Sequence, residues 1–356
     1  MQIRTVLITG GAGFVGSNLA LRLKQSSETL RVIAFDNLLR SGSQLNLERL
    51  RRGGVEFAHG DIRCPEDLAR VGRFDLLLDC SAEPSVHAGS SGSPATVIHT
   101  NLVGTIHCFE AARQHGAAIL FLSSSRIYPI AALNGLRYVE DATRFRLAEH
   151  QDLVGSSDRG IAEDFPLDGP RSFYGATKLA SELLLQEYVF NYDVPGLIYR
   201  CGVLAGPWQM GRVDQGFLSL WVARHHFRKP LKYIGFGGTG KQVRDVLHVD
   251  DLCDLVLLHL AEPSAWDGRI YSVGGGPEVS TSLLELTDLC QQEIGHRVTI
   301  EPVPDTSPLD VRLFISDCTK ISHDIAWKPQ RRIEEIVTST ARWVADHESA
   351  LEKILG

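Results

Sequence analysis

Short apolar strands alternating with helices, a glycine-rich turn after the first strand and an acid closing the second predict an α/β chain. The expected architecture is a Rossmann-type doubly wound parallel sheet with a smaller C-terminal mixed α/β substrate lobe. "IRTVLIT" (3–9) is a β-rich run, followed by glycines and an amphipathic helix over about 14–24. "LRVIAF" (30–35), "VEFA" (55–58), "FDLLLDC" (74–80) and "AAILFLS" (117–123) repeat the theme, with helical stretches between them, the clearest over 94–115. Strands apolar along their whole length suit a sheet covered on both faces. Residues 129–171 break the rhythm with Asp, Glu, Gly and Arg, and a stretch this long in a compact fold is functional or disordered. A helix then carries "FYGATKLASELL", and the strand "GLIYR" (196–200) follows. Helices near 250–261, 280–294 and 331–347 close the chain. The predicted division is a dinucleotide-binding domain over 1–200, to which 243–275 returns, and a second lobe from 201–242 and 276–356.

The bulk numbers exclude several classes. The 356 residues are 44% hydrophobic and 22% charged, an ordinary globular composition with length enough for a sizeable core. A net charge of −7 lacks the basic footprint of a nucleic-acid binder. No apolar run approaches the roughly 20 residues that span a bilayer. "MQIRTVLITGG" runs straight into glycines and does not read as a signal peptide. Seven scattered cysteines with no C-x-x-C pair argue for a reducing cytoplasm and against disulfides or zinc. Thirteen histidines include no H-x-x-x-H pair, so no metal site is expected.

"TGGAGFVGSN" (9–18) joins the first strand to the first helix. Gly10, Gly13 and Gly16 are three apart, and Gly11, Gly13 and Gly16 also satisfy G-x-G-x-x-G. Without side chains the turn is tight, and a pyrophosphate can approach the backbone N–H groups that open the helix. Asp36, twenty residues after Gly16, can accept hydrogen bonds from the ribose hydroxyls of NAD and would repel an extra 2′-phosphate. Asp61 in "HGDIR" either holds the adenine amino group or caps a helix.

Tyr174 and Lys178 lie one helical turn apart, about 5–6 Å at Cβ. A neighbouring ammonium and a positive nicotinamide ring both favour the phenolate, which makes the tyrosine a usable base. Lys178 can also bond the nicotinamide ribose. "LFLSSSRIY" (120–128) ends the fifth strand, so its serines sit at the same edge of the sheet, and Ser124 can hydrogen-bond a hydroxyl that loses its proton.

Together, the glycine loop, "DNL", "GDIR", "TNLVGT", the serine motif, "YGATK" and "GKQVRDVLH" resemble extended short-chain dehydrogenases/reductases acting on nucleotide sugars, over essentially the whole chain. The resemblance implies Ser124, Tyr174 and Lys178 as catalytic residues. It implies NAD contacts from Gly10, Gly13, Phe14, Val15, Asp36, Asn37, Asp61, Ile62, Ala82 and Asn101, besides Tyr174 and Lys178. Dehydratases of the family carry Asp-Glu just after the catalytic hydroxyl; here Ser125 and Arg126 stand there and would face the sugar instead. The insertion before Tyr174, "DQG" (214–216), "GTGKQVRDVLHVDDL" (238–252) and "DVRLFISDCTKI" (310–321) resemble a branch that inverts C2 of the sugar. Asp214, Gln215 and Gln242 are candidates for touching nucleotide or sugar, and Arg244 and Arg312 for clamping the diphosphate, since guanidinium matches phosphate bidentately. The reaction implied is transient oxidation to a ketosugar and re-reduction on the other face; alternatives are a 4-epimerase, a reductase, or a non-catalytic binder of NAD or sugar nucleotide. A homodimer with a nucleotide-sugar substrate is the expected partner set.

Overall fold

The computed structural model describes residues 3–213 and 215–355. Five strands, β1 (Thr5–Thr9), β2 (Arg31–Asp36), β3 (Glu56–His59), β4 (Leu76–Asp79) and β5 (Ala118–Ser124), form with Gly196–Cys201 and Asp267–Val273 one seven-stranded sheet. Its order runs from Asp267–Val273 through Gly196–Cys201, β5, β4, β1 and β2 to β3. All four registered pairs among β1–β5 are parallel. The chain moves outward from β1 to β3 and then returns to lay β4 against the other side of β1. That reversal opens a crevice at the carboxyl ends of β1 and β4, where such sheets take ligands. Register puts Thr9, Phe35, Asp79 and Phe121 at one level, so the segments following all four strands share one edge.

The strands form because their residues are apolar on both faces and helices cover them. Leu7, Ile33, Leu77, Ile119, Phe121 and Ile198 pack with Phe109 and Leu185 from the helices Thr105–His115 and Phe173–Tyr192. α1 (Phe14–Ser26) begins where the glycine loop ends. The predicted helix over 94–115 is three pieces: Ala95–Ile98, a π-helical stretch His99–Gly104 and Thr105–His115. The widened turn holds Asn101, whose carboxamide accepts from Glu83 N (2.7 Å) and donates to Glu83 O (3.0 Å). A wide turn of this kind trades regular helix bonds for side-chain placement at a site.

The chain divides into two compact units. One comprises Met1–Ile127, Ser172–Arg200 and Leu252–Tyr271, the other Tyr128–Arg171, Cys201–Asp251 and Ser272–Gly356. The expected boundaries differ in two places: 129–171 groups with the second unit, and the returning segment is shorter than 243–275. The reason is main-chain bonding. Phe145 N donates to Lys241 O (3.0 Å) and Ile161 N to Ile315 O (2.8 Å), so the insertion is stitched to the second unit. It forms two hairpins, Tyr138–Glu140 with Phe145–Leu147 and Ser156–Ser157 with Gly160–Ile161. Elsewhere in that unit, Val243–His248 pairs with Val203–Ala205, Ser280–Ser282 and Leu313–Phe314. Among the described residues no helix is long and apolar enough to cross a membrane, and no group of His, Cys, Asp and Glu is placed to hold a metal ion.

Asp245, in the middle of Val243–His248, is completely buried. Gly276 N approaches its Oδ2 at 3.4 Å, and a Cβ on Gly274 would come within 1.9 Å of that oxygen, so the glycines let the loop close over the carboxyl. Burial pushes this acid up to about 6, against the opposing pull of Ser316 and backbone N–H groups. A carboxyl raised on folding binds more protons in the native than in the unfolded state, so its contribution falls as pH rises from about 4 to about 6. Relative to the wild type, Asp245→Asn is therefore expected to gain about 3 kcal/mol between pH 4 and pH 7, read by urea unfolding at both pH values. A stability difference independent of pH would contradict the assignment.

Candidate active site

The glycine loop closes through tight contacts. Gly10 has φ +62° and a Cβ there would meet Cys80 O at 2.9 Å; a Cβ on Gly16 would strike Gly10 O at 2.3 Å. Gly13 caps α1 without a side-chain bond, so the first N–H groups, including those of Phe14 and Val15, have no side chain competing for them. Asn46 braces the loop from outside, donating to Ala12 O at 2.9 Å while Arg49 donates to its Oδ1 at 3.1 Å.

Asp36 closes β2 beside this loop. Its carboxylate accepts from Ala12 N (3.1 Å) and Leu38 N (2.7 Å). Burial pushes the carboxyl up, and the N–H groups of Leu38, Ala12 and Gly13 work against that rise. Two bonds leave lone pairs over, since an ionised carboxylate has about four acceptor sites. The cradle without side chains, the open helix start and an acid with spare capacity fit a dinucleotide with a free ribose diol.

Asp61 is more committed. It takes Arg63 at 2.6 and 2.9 Å and Asn37 Nδ2 at 2.9 Å, and the Arg63 guanidinium holds its carboxyl well below the usual carboxylate range. The helix that follows is Pro65–Ala69, whose N-cap is Cys64, so Asp61 does not cap it. Asn37 and Asp61 are thus tied together, with Ile62 buried next in sequence and its carbonyl bonded to His107 Nδ1 (3.0 Å). Ala82 follows β4, and Asn101 is buried under the loop it braces.

The three candidate catalytic side chains come from two elements. Ser172 caps the helix Phe173–Tyr192 by accepting from Gly175 N at 3.1 Å, which fixes Tyr174 in its first turn. Lys178, one turn on, is 2% exposed and donates to Leu122 O at 2.7 Å, with its ammonium 4.6 Å from the Phe121 ring centroid. Those contacts pin the helix to β5, whose last residue is Ser124. Ser124 accepts from Arg126 N (3.1 Å), which leaves its hydroxyl proton to donate. Ser125 and Arg126 form the first two residues of the 3₁₀ turn Ser125–Ile127. Tyr174 is half-buried.

Three residues absent from the sequence-based set support this arrangement. Glu182 lies one turn past Lys178 and accepts from Ser123 Oγ and from Arg200 Nη2 (2.8 Å). This ion pair is buried, at 1% and 4% side-chain exposure. An acid four residues after the candidate lysine is the signal that would have found it.

The remaining candidates lie in the second unit. Arg244 pairs with Asp310 (3.0 Å) and donates to Val311 O (2.7 Å). Arg312 donates to Asn134 O (3.3 Å) and lies 4.1 Å from the Tyr138 ring centroid, with Phe145 and Phe236 at 5.7 and 5.5 Å. Val243 N bonds Arg312 O (3.1 Å), so Arg312 leads directly into the strand Leu313–Phe314 that pairs with the strand carrying Arg244. Gln242 donates to Ile234 O (2.9 Å), and its Oε1 has no partner among the described residues. Gln215 is joined through its backbone to Arg212; Asp214 lies outside the described residues.

Residues 6–274 match the family model of the NAD dependent epimerase/dehydratase family. The chain is 32% identical to a CDP-paratose 2-epimerase of Salmonella typhi, over 96% of this chain and 99% of that one. It is 28% identical to a dTDP-glucose 4,6-dehydratase of Xanthomonas campestris pv. campestris (strain B100), over 99% and 96%. A double mutant of the dTDP-glucose 4,6-dehydratase of Streptomyces venezuelae, solved with NAD bound, superposes with a TM-score of 0.79 at 26% identity, covering 99% of this chain and all of that one. With the glycine cradle, the acid that closes β2 beside it and the Ser-Tyr-Lys set in place, the chain belongs to the NAD dependent epimerase/dehydratase family, and NAD is its cofactor.

Proposed function

We propose that the protein is a nucleotide-sugar epimerase that inverts C2 of a CDP-3,6-dideoxyhexose, interconverting sugars of the CDP-paratose and CDP-tyvelose type. One observation carries the choice of epimerisation over dehydration. Elimination of water needs an acid and a base beside the catalytic hydroxyl, and Ser125 and Arg126 occupy those places after Ser124. The choice of C2 and of cytidine diphosphate draws support from the full-length similarity to the Salmonella typhi enzyme.

In this reading Tyr174 Oη takes the proton of the C2 hydroxyl while Ser124 donates a hydrogen bond to the same oxygen. Lys178 lowers the phenol's affinity for its proton by sitting one turn away with a positive charge. NAD, when bound, supplies the acceptor and later the donor of the hydride. Gly10, Gly13, Phe14, Val15 and Asp36 would hold it, with Asn37, Asp61, Ile62, Ala82 and Asn101 around it. Catalysis comes from stabilising the developing alkoxide more than the alcohol. Arg244 and Arg312 would bind the diphosphate. The protein acts as a homodimer in the cytoplasm on this reading.

Proton NMR of the purified protein with CDP-, UDP-, GDP- and dTDP-sugars in deuterated water tests the proposal. Inversion at C2 of the CDP-sugar without net redox and without solvent deuterium at that carbon is expected. Deuterium entering there would mean deprotonation instead, and net consumption of NADH would mean a reductase. Tyr174→Phe is expected to keep NAD binding and lose at least about a hundredfold in turnover; normal turnover would refute the base assignment. Asp36→Arg is expected to weaken NAD at least about tenfold, the loss of one charge-assisted hydrogen bond. Calorimetric titration reads it, and an unchanged affinity places the ribose contact elsewhere.

A further inference from the structure

An enclosed lysine gives up its proton unless an anion compensates for the lost water. Lys178 is enclosed in this way, and the chemistry above needs it charged. Glu182 is the nearest acid along the helix, but Ser123 and Arg200 engage both its oxygens. Asp79 stands differently. It ends β4, "LLLD", and is completely buried. Its register partner on β5 is Phe121, so the two side chains share one face of the sheet. Lys178 Nζ sits over that same Phe121 ring. Asp79 Oδ1 accepts from Thr9 Oγ1 at 2.6 Å, while Oδ2 has no hydrogen-bond partner among the described residues. Leaving a carboxylate oxygen unpaired in an apolar core costs several kcal/mol unless a charge offsets it.

We propose that Asp79 is the buried counter-charge that keeps Lys178 protonated, a positioning residue that acts on Tyr174 through that lysine. It rests on the Tyr-Lys chemistry of the preceding reading. Thr9 and Thr105 flank the carboxyl from β1 and the helix Thr105–His115, and Ser81 N lies beside it. Burial drives this acid towards its neutral form, and the Lys178 charge is the foremost influence opposing that drive. Cys108, on the same helix as Thr105, has its thiol pushed well above the usual range by burial and by Asp79, so it adds no charge. Ser123 and Ser124 from β5 are neutral, and Tyr174 lies one turn before the lysine on its own helix. Glu182 and Arg200 cancel each other. Asp79 thus offers a buried carboxylate on the face of the sheet where the Lys178 ammonium sits over Phe121.

The test uses the full chain labelled with lysine carrying ¹³C at Cε, with the Lys178 signal identified by its loss in Lys178→Gln. In Asp79→Asn the Lys178 proton affinity is expected to fall at least about tenfold, one pH unit in the titration. Should that variant unfold, Asp79→Ser carries the same readout. Lys178 titrating at the same pH with and without the Asp79 carboxylate overturns the proposal. No sugar enters this measurement, so its failure is separate from a wrong substrate. With a substrate that turns over, the alkaline limb of kcat moves down by the same interval while KM holds; an unmoved limb counts equally against it.

Discussion

The site depends on one buried cation held against a main-chain carbonyl. Lys178 donates to Leu122 O at 2.7 Å, two residues before Ser124, and this bond sets the distance between a helix and a strand end. Without it the serine, the tyrosine and the cofactor edge would be three separate features. The ammonium contributes position through that hydrogen bond and the Phe121 ring, and contributes chemistry through its charge.

Behind it stands the pair of Glu182 and Arg200. Burying two charges is costly, and apolar residues of the same volume serve stability as well or better. Removing one partner alone costs about 3–5 kcal/mol, since the other is left uncompensated in the core. The pair ties together three elements: Ser123 from β5, Glu182 from the helix of Tyr174 and Lys178, and Arg200 from the adjacent strand. The geometric return is that the residue next to Ser124 is bonded to the helix that carries Tyr174 and Lys178.

The second unit shows a comparable economy. Arg312 is sandwiched by aromatic rings from the insertion and from the loop at Phe236, and Arg244 is restrained by Asp310. Guanidinium groups restrained in this way have little rotamer freedom left to lose. The insertion therefore belongs to the second unit: its backbone bonds to Lys241 and Ile315 make Tyr138 and Phe145 part of the wall around Arg312.

By itself the sequence determined what is encoded in short windows. Alternating apolar runs made the sheet, and Gly10, Gly13 and Gly16 with Asp36 twenty residues on made a dinucleotide cradle, because those constraints are local in sterics and spacing. The four-residue step from Tyr174 to Lys178 was legible for the same reason. Long-range pairing was not. The π-helical stretch around Asn101 and the transfer of 129–171 to the second unit both follow from contacts between residues far apart in sequence. Nothing local in "FDLLLDC" singles out Asp79; the register with Phe121 and the docking of the lysine above that ring put it on the same face of the sheet as a charge. Tertiary structure decided which acids are spent in ion pairs and which remain to act, because electrostatic strength depends on burial and neighbours that no local pattern records.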